Sequence, residues 1–141
     1  MYSDAIEILQ QPTGVLQRLQ QLVELIARQD GYDWAGVYVP ASDDDRSLLL
    51  GARAGRRGAT RRVAKSDCPA TATIQVADPV DPAGVDADEK AGPSYASLPL
   101  HAGGTLLGLL VVSVLGDRPT EHLPLLGAVA EEVAAMLALR G

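Results

Sequence analysis

The chain has 141 residues, 47% of them hydrophobic, which is enough apolar material for one core of ordinary size and leaves little for a second. With no Phe, one Trp and four Tyr, the interior must be filled by Leu, Val and Ala, and any ring-lined pocket has few rings to draw on. A net charge of −6 argues against non-specific affinity for nucleic acid or an anionic membrane, and the single cysteine, Cys68, excludes an intramolecular disulfide.

Met1 to Gln10 lacks the basic start and long apolar run of a signal peptide, so the chain reads as cytoplasmic. Its apolar residues Ala5, Ile6, Ile8 and Leu9 suggest a helical turn or two. From Val15 to Ile26 the apolar positions Val15, Leu16, Leu19, Leu22, Val23 and Ile26 have the three-four spacing of an amphipathic helix. Pro12 suits the first turn of that helix and Gly31 its end. Trp34 to Val39 and Ser47 to Ala52 read as two strands of a hairpin, separated by Pro40 and the Ser42-Asp43-Asp44-Asp45 turn. Thr60 to Val63 and Thr71 to Val76 are short candidate strands. Residues 78–93, rich in Pro, Gly and Asp, spell a loop that carries the acids Asp78, Asp81, Asp86, Asp88 and Glu89.

Tyr95 to Leu100 and Leu106 to Leu115 flank His101-Ala102-Gly103-Gly104, the clearest hairpin in the chain. The second of these runs is nearly continuous in Leu and Val, as a central strand covered on both faces requires, and it is too short to span a bilayer. Thr120 is a good N-cap for a helix reaching to about Leu139. The expected fold is α+β, a central antiparallel sheet of five to six strands with the N- and C-terminal helices packed on one face, forming a single domain over residues 1–141.

The ending carries a resemblance. Ser94-Tyr95-Ala96-Ser97-Leu98-Pro99-Leu100, then Gly103-Gly104-Thr105-Leu106-Leu107-Gly108-Leu109-Leu110, then the helix from Thr120 to Ala138, are similar to the end of GAF domains. Trp34-Ala35-Gly36-Val37-Tyr38 resembles the first strand of one branch, the free methionine-R-sulfoxide reductases. These residues are fold signals: Gly103-Gly104 supplies a tight turn, and Gly108 lets another backbone come close.

In the reductase branch the resemblance implies cysteines in the middle of the domain and acids in the two final strands that hold the substrate amine. Here the stretch before Tyr95 reads Asp88-Glu89-Lys90-Ala91-Gly92-Pro93 and has no cysteine. Ala96 and its neighbours stand where the penultimate strand would carry its acid, and Val112, Ser113 and Val114 stand in place of the last strand's acidic pair. A thiol mechanism that needs a second thiol to resolve it cannot run within one chain holding Cys68 alone. The middle is also short for a cyclic-nucleotide or bilin pocket, and Cys68 is followed by Pro69 and Ala70 rather than by the histidine of a bilin attachment site. The expectation is therefore a non-catalytic sensory or regulatory module binding a small molecule or a protein, with no cofactor. Two alternatives stay open: a degenerate reductase using Cys68 and an external thiol, and a structural dimerisation module of PAS or roadblock type.

Four groups of residues are singled out. Arg53, Arg56, Arg57, Arg61, Arg62 and Lys65 hold half of the chain's 12 basic residues and form either an anion site or a solvated stretch neutralised by the acidic loop. Cys68 is either a packing residue or a redox thiol, with Lys65 lowering and Asp67 raising its pKa. His101 and His122 have no partner at ligand spacing, so no metal is expected. On the last helix Leu123, Leu126, Ala130, Val133 and Leu137 lie on one stripe and Leu125, Val129 and Met136 on another that Glu132 interrupts. If the second stripe covers the sheet, the first is left for a dimer seam or for the N-terminal helix stripe of Leu19, Leu22 and Ile26. A homodimer through the terminal helices is expected, with neither membrane nor nucleic acid as partner.

Overall fold

A computed structural model of the chain describes residues 2–43, 46–55, 62–68, 73–75, 94–114 and 119–140. Three helices, α1 (Tyr2–Leu9), α2 (Val15–Arg28) and α3 (Leu123–Arg140), accompany six strands. The strands are β1 (Tyr32–Pro40), β2 (Ser47–Gly55), β3 (Arg62–Ala64), β4 (Thr73–Gln75), β5 (Ser94–Ala102) and β6 (Thr105–Val114). They form one antiparallel sheet in the order β3-β2-β1-β6-β5-β4. The expected hairpins are both present, and β3 and β4 overlap the described parts of the strands expected at Thr60 to Val63 and Thr71 to Val76; residues 60–61, 71–72, 76 and 78–93 lie outside the described residues. No helix among the described residues is long and apolar enough to cross a membrane.

Why each element forms is visible in its residues. The apolar stripe of α2 buries Leu19, Leu22, Val23 and Ile26 against β1 and β2. Gly14 is its N-cap, so Pro12 precedes the helix and lies in the turn after α1 rather than in the first turn of α2. Arg18 donates from its guanidinium to the Leu9 carbonyl at 2.9 Å, closing the C-terminal end of α1. Gly103 and Gly104, at φ 58° and 81°, make the turn between β5 and β6 in the left-handed conformation a tight hairpin requires. Gly108 sits where an added Cβ would collide with the Tyr38 carbonyl oxygen of β1, so the expected close backbone approach is real. Thr120 falls within a 3-10 turn, Pro119–His122, and α3 begins only after it, which corrects the expected N-cap.

All three helices cover one face. There α2 lies on β1 and β2, α3 on β5 and β6, and α1 packs on both helices. Between helices and sheet lies a core that includes Ala35, Val37, Leu98, Leu110, Val112 and Val129. The outward dimer stripe is corrected here. Leu126 and Val133 are 0% exposed, Ala130 6% and Leu137 9%, all inside the single chain. Val129 and Met136, from the other stripe, are buried as well, and only Leu125 is left exposed. The physical reason is α1. Its Ala5 and Leu9 are buried in the same core, so α3 is held between the sheet and α1 and needs apolar residues on two sides.

Candidate functional site on the sheet face opposite the helices

Strand alternation sends every second residue to the face without described helices. On β1 these are Trp34, Gly36 and Tyr38; on β6, Leu109, Val111 and Ser113; on β5, Tyr95, Ser97 and Pro99. The ladders set them in rows. Trp34, Ser113 and Tyr95 are neighbours across β1, β6 and β5; the next row is Gly36, Val111 and Ser97, and the third is Tyr38, Leu109 and Pro99. On β2 the bulge at Gly51 reverses the alternation, so Leu48 and Leu50 join this face while Ala52 and Ala54 join the helix side.

Trp34, Tyr38 and Tyr95 are three of the chain's five aromatic rings, and each is at most 1% exposed. They form a second apolar cluster with Leu48, Val63, Leu109 and Val111. The indole of Trp34 lies across Gly36, where an added Cβ would stand 2.5 Å from the ring, so only glycine permits this seat. On the same face the polar atoms Trp34 Nε1, Ser97 Oγ and Ser113 Oγ are buried and have no hydrogen-bond partner among the described residues. Leaving such a group unsatisfied costs about 1–3 kcal/mol, which a protein tolerates most readily where function uses it.

The residues singled out in the sequence are scattered by comparison. Arg53 is exposed on β2, its backbone N–H and carbonyl both held by the side-chain amide of Gln20. Arg62 is exposed on β3 and donates to both carboxylate oxygens of Asp43, at 3.2 and 3.1 Å. In the β2–β3 ladder Arg62 stands opposite Leu49, four positions from Arg53, or about 13 Å along the strand at ~3.3 Å per residue. The described members of the basic group therefore do not converge, with Lys65 in the 3-10 turn after β3; Arg56, Arg57 and Arg61 lie outside the described residues. Cys68 is half-buried, its thiol 3.7 Å from the Ala64 carbonyl, and packs against the cluster of Trp34 and Tyr38.

His101 is exposed on β5, whereas His122 places Nδ1 2.9 Å from the Tyr32 hydroxyl, edge-on to that ring. Burial raises the Tyr32 pKa above its ordinary value. No group of three or more His, Cys, Asp or Glu suited to a metal ion occurs among the described residues.

Sequence reasoning overlooked the two serines and the convergence of rings. The signal was present in the alternation: Ser113 interrupts an apolar run and Ser97 sits between Ala96 and Leu98, each at a position that a two-sided apolar strand would fill with an aliphatic residue.

The family model of the GAF domain matches residues 15–138. No curated protein matches the sequence. Among solved structures, the GAF domain of A. aeolicus nlh2 in an inactive state superposes with a TM-score of 0.77 at 10% identity, covering 99% of this chain and 94% of that one. The free methionine-R-sulfoxide reductase of Neisseria meningitidis, in complex with its substrate, gives 0.73 at 16% identity, covering 97% and 86%. The GAF domain of the Acinetobacter phosphoenolpyruvate-protein phosphotransferase gives 0.69 at 12%, covering 98% and 90%. At these identities the likeness is one of fold.

Proposed function

Since the chain belongs to the GAF domain family, we propose that it is a non-catalytic sensory or regulatory module whose small-molecule site is the sheet face opposite the helices. One observation carries this reading: three of five rings and three unpartnered buried polar atoms meet on that face. A folded protein whose only task was to pack would fill these positions with aliphatic residues, as the helix side does at nearly every buried position but Tyr32. Native mass spectrometry of the purified chain tests the proposal by looking for a co-purified ligand. A thermal-shift screen follows, and any stabilising compound must lose its effect in Trp34→Leu. A screen without a stabilising compound, on protein that carries no ligand, removes the reading.

A thiol-dependent reductase is the second reading, favoured by one contact, that of Cys68 with the same cluster. Thioredoxin-coupled NADPH consumption with free methionine sulfoxide should stay at background. Turnover that disappears in Cys68→Ser would establish the enzyme instead. Homodimerisation belongs to the proposal too, but on other residues than the stripe named above. Leu125 and Leu139, 37% and 89% exposed, are the large apolar side chains that α3 leaves outside. A two-subunit mass by light scattering supports pairing, and a one-subunit mass at high concentration removes it.

A further inference from the structure

We infer that the molecule bound on this face is uncharged, with a hydrogen-bonding head and an apolar body; the inference rests on the binding reading above. Three features carry it. The first is the chemistry of the unpartnered atoms. Trp34 Nε1 can only donate, whereas the hydroxyls of Ser97 and Ser113 donate or accept. Together they ask for at least one acceptor oxygen or nitrogen, and they bear no charge.

The second feature is what the face lacks. The buried polar or charged side chains among the described residues are those of Ser47, Ser97 and Ser113, with no buried Asp, Glu, Lys or Arg. A carboxylate, phosphate or ammonium entering here would meet no buried counter-charge among the described residues, and burying it unpaired is far more costly than burying a neutral amide or carbonyl. Arg53 follows the alternation to this same face of β2, yet it is exposed and so stands outside the buried patch.

The third feature is a gradient. Trp34, Ser113 and Ser97 occupy adjacent rows, with the two serines diagonal neighbours about 7–8 Å apart. Beyond them, Leu109, Leu48, Leu50 and Val63 pack in one apolar cluster with the ring of Tyr38. The head belongs at the serine rows and the body at the Tyr38 end.

A matched set of four-carbon probes tests this: butyramide, butyrate and butylammonium, titrated at constant ionic strength into the full chain. Trp34 is the one tryptophan, so its indole N–H gives a single resonance in a nitrogen-proton spectrum and reports the site directly. Butyramide is expected to shift that resonance saturably, with a Kd at least tenfold below that of either ion, equivalent to about 1.4 kcal/mol. Ser97→Ala and Ser113→Ala should each weaken butyramide at least threefold while leaving the circular dichroism unchanged. An ion that comes within tenfold of butyramide, or binds tighter, overturns the uncharged ligand and leaves the binding reading standing. Butyramide affinity that holds within threefold in either serine variant overturns the serine patch as the recognition element. No saturable shift with any of the three probes counts against the binding reading itself.

Discussion

Removing the hydroxyl of Ser97 or Ser113 should make the ligand-free protein more stable, contrary to the usual effect of a core substitution. Both residues are 0% exposed, and neither Oγ has a partner among the described residues. An unsatisfied buried hydroxyl costs about 1–3 kcal/mol, and Ser→Ala abolishes that cost. Against it stands the space left by one oxygen, which at ~24 cal/mol per Å³ of residual cavity is worth only about 0.3 kcal/mol. Each variant should therefore gain about 1 kcal/mol, or about 3 °C in Tm for a domain of this size. Urea unfolding followed by circular dichroism measures the gain, provided the slope with denaturant is unchanged. A loss of more than about 0.5 kcal/mol in both variants would refute the reasoning, because it would mean the hydroxyls are paired in the free protein. A gain in stability together with weakened binding is the trade expected where a site is kept polar for a ligand.

Three further outcomes follow from the packing. Gly108→Ala should destabilise by at least about 2 kcal/mol in urea unfolding, since the new methyl group meets a backbone carbonyl in the middle of the sheet rather than a movable side chain. Val133→Glu should abolish the folded circular dichroism signal, because an unpaired charge at a fully buried core position costs about 3–5 kcal/mol or more; a soluble, folded monomer would instead restore the seam. Tyr32, with its pKa raised in the fold by burial, contributes stability that is intact below its unfolded value of 10.0 and declines as pH rises through the folded value. Wild-type Tm should thus fall faster than that of Tyr32→Phe above pH 10, and parallel curves would refute the linkage.

Most of the fold was legible because its signals are local. The stripe of α2 and the Gly103-Gly104 turn depend on residues a few positions apart, and both elements form where expected. The covering of α3 was not legible. Two apolar stripes on one helix say that two surfaces cover it, but not whether the second belongs to the same chain, and eight-residue α1 gives too short a pattern to claim the role. The site was legible least. Ser97 and Ser113 become neighbours only through the β5–β6 register, and Trp34 joins them only through the pairing of β1 with β6. The β1–β6 pairing is long-range, and the β5–β6 register shifts at Leu100/His101, which the turn residues do not announce, whereas the run of arginines that stands out in the sequence leaves its described members apart.

The strand order has a kinetic consequence. Strands β1 to β3 form one meander and β4 to β6 another, each closed by connections local in sequence, and the two meet only where β1 pairs with β6. That seam joins Tyr32 to Val114 and must overcome the entropy of closing a loop of more than half the chain, so it is expected to close last. Until it does, each half presents a long, apolar edge with unpaired backbone groups, the usual template for association with another chain. Two co-expressed fragments divided between Cys68 and Thr73 should therefore find each other through these edges and restore the native dichroism. The same chemistry makes either fragment alone prone to aggregate.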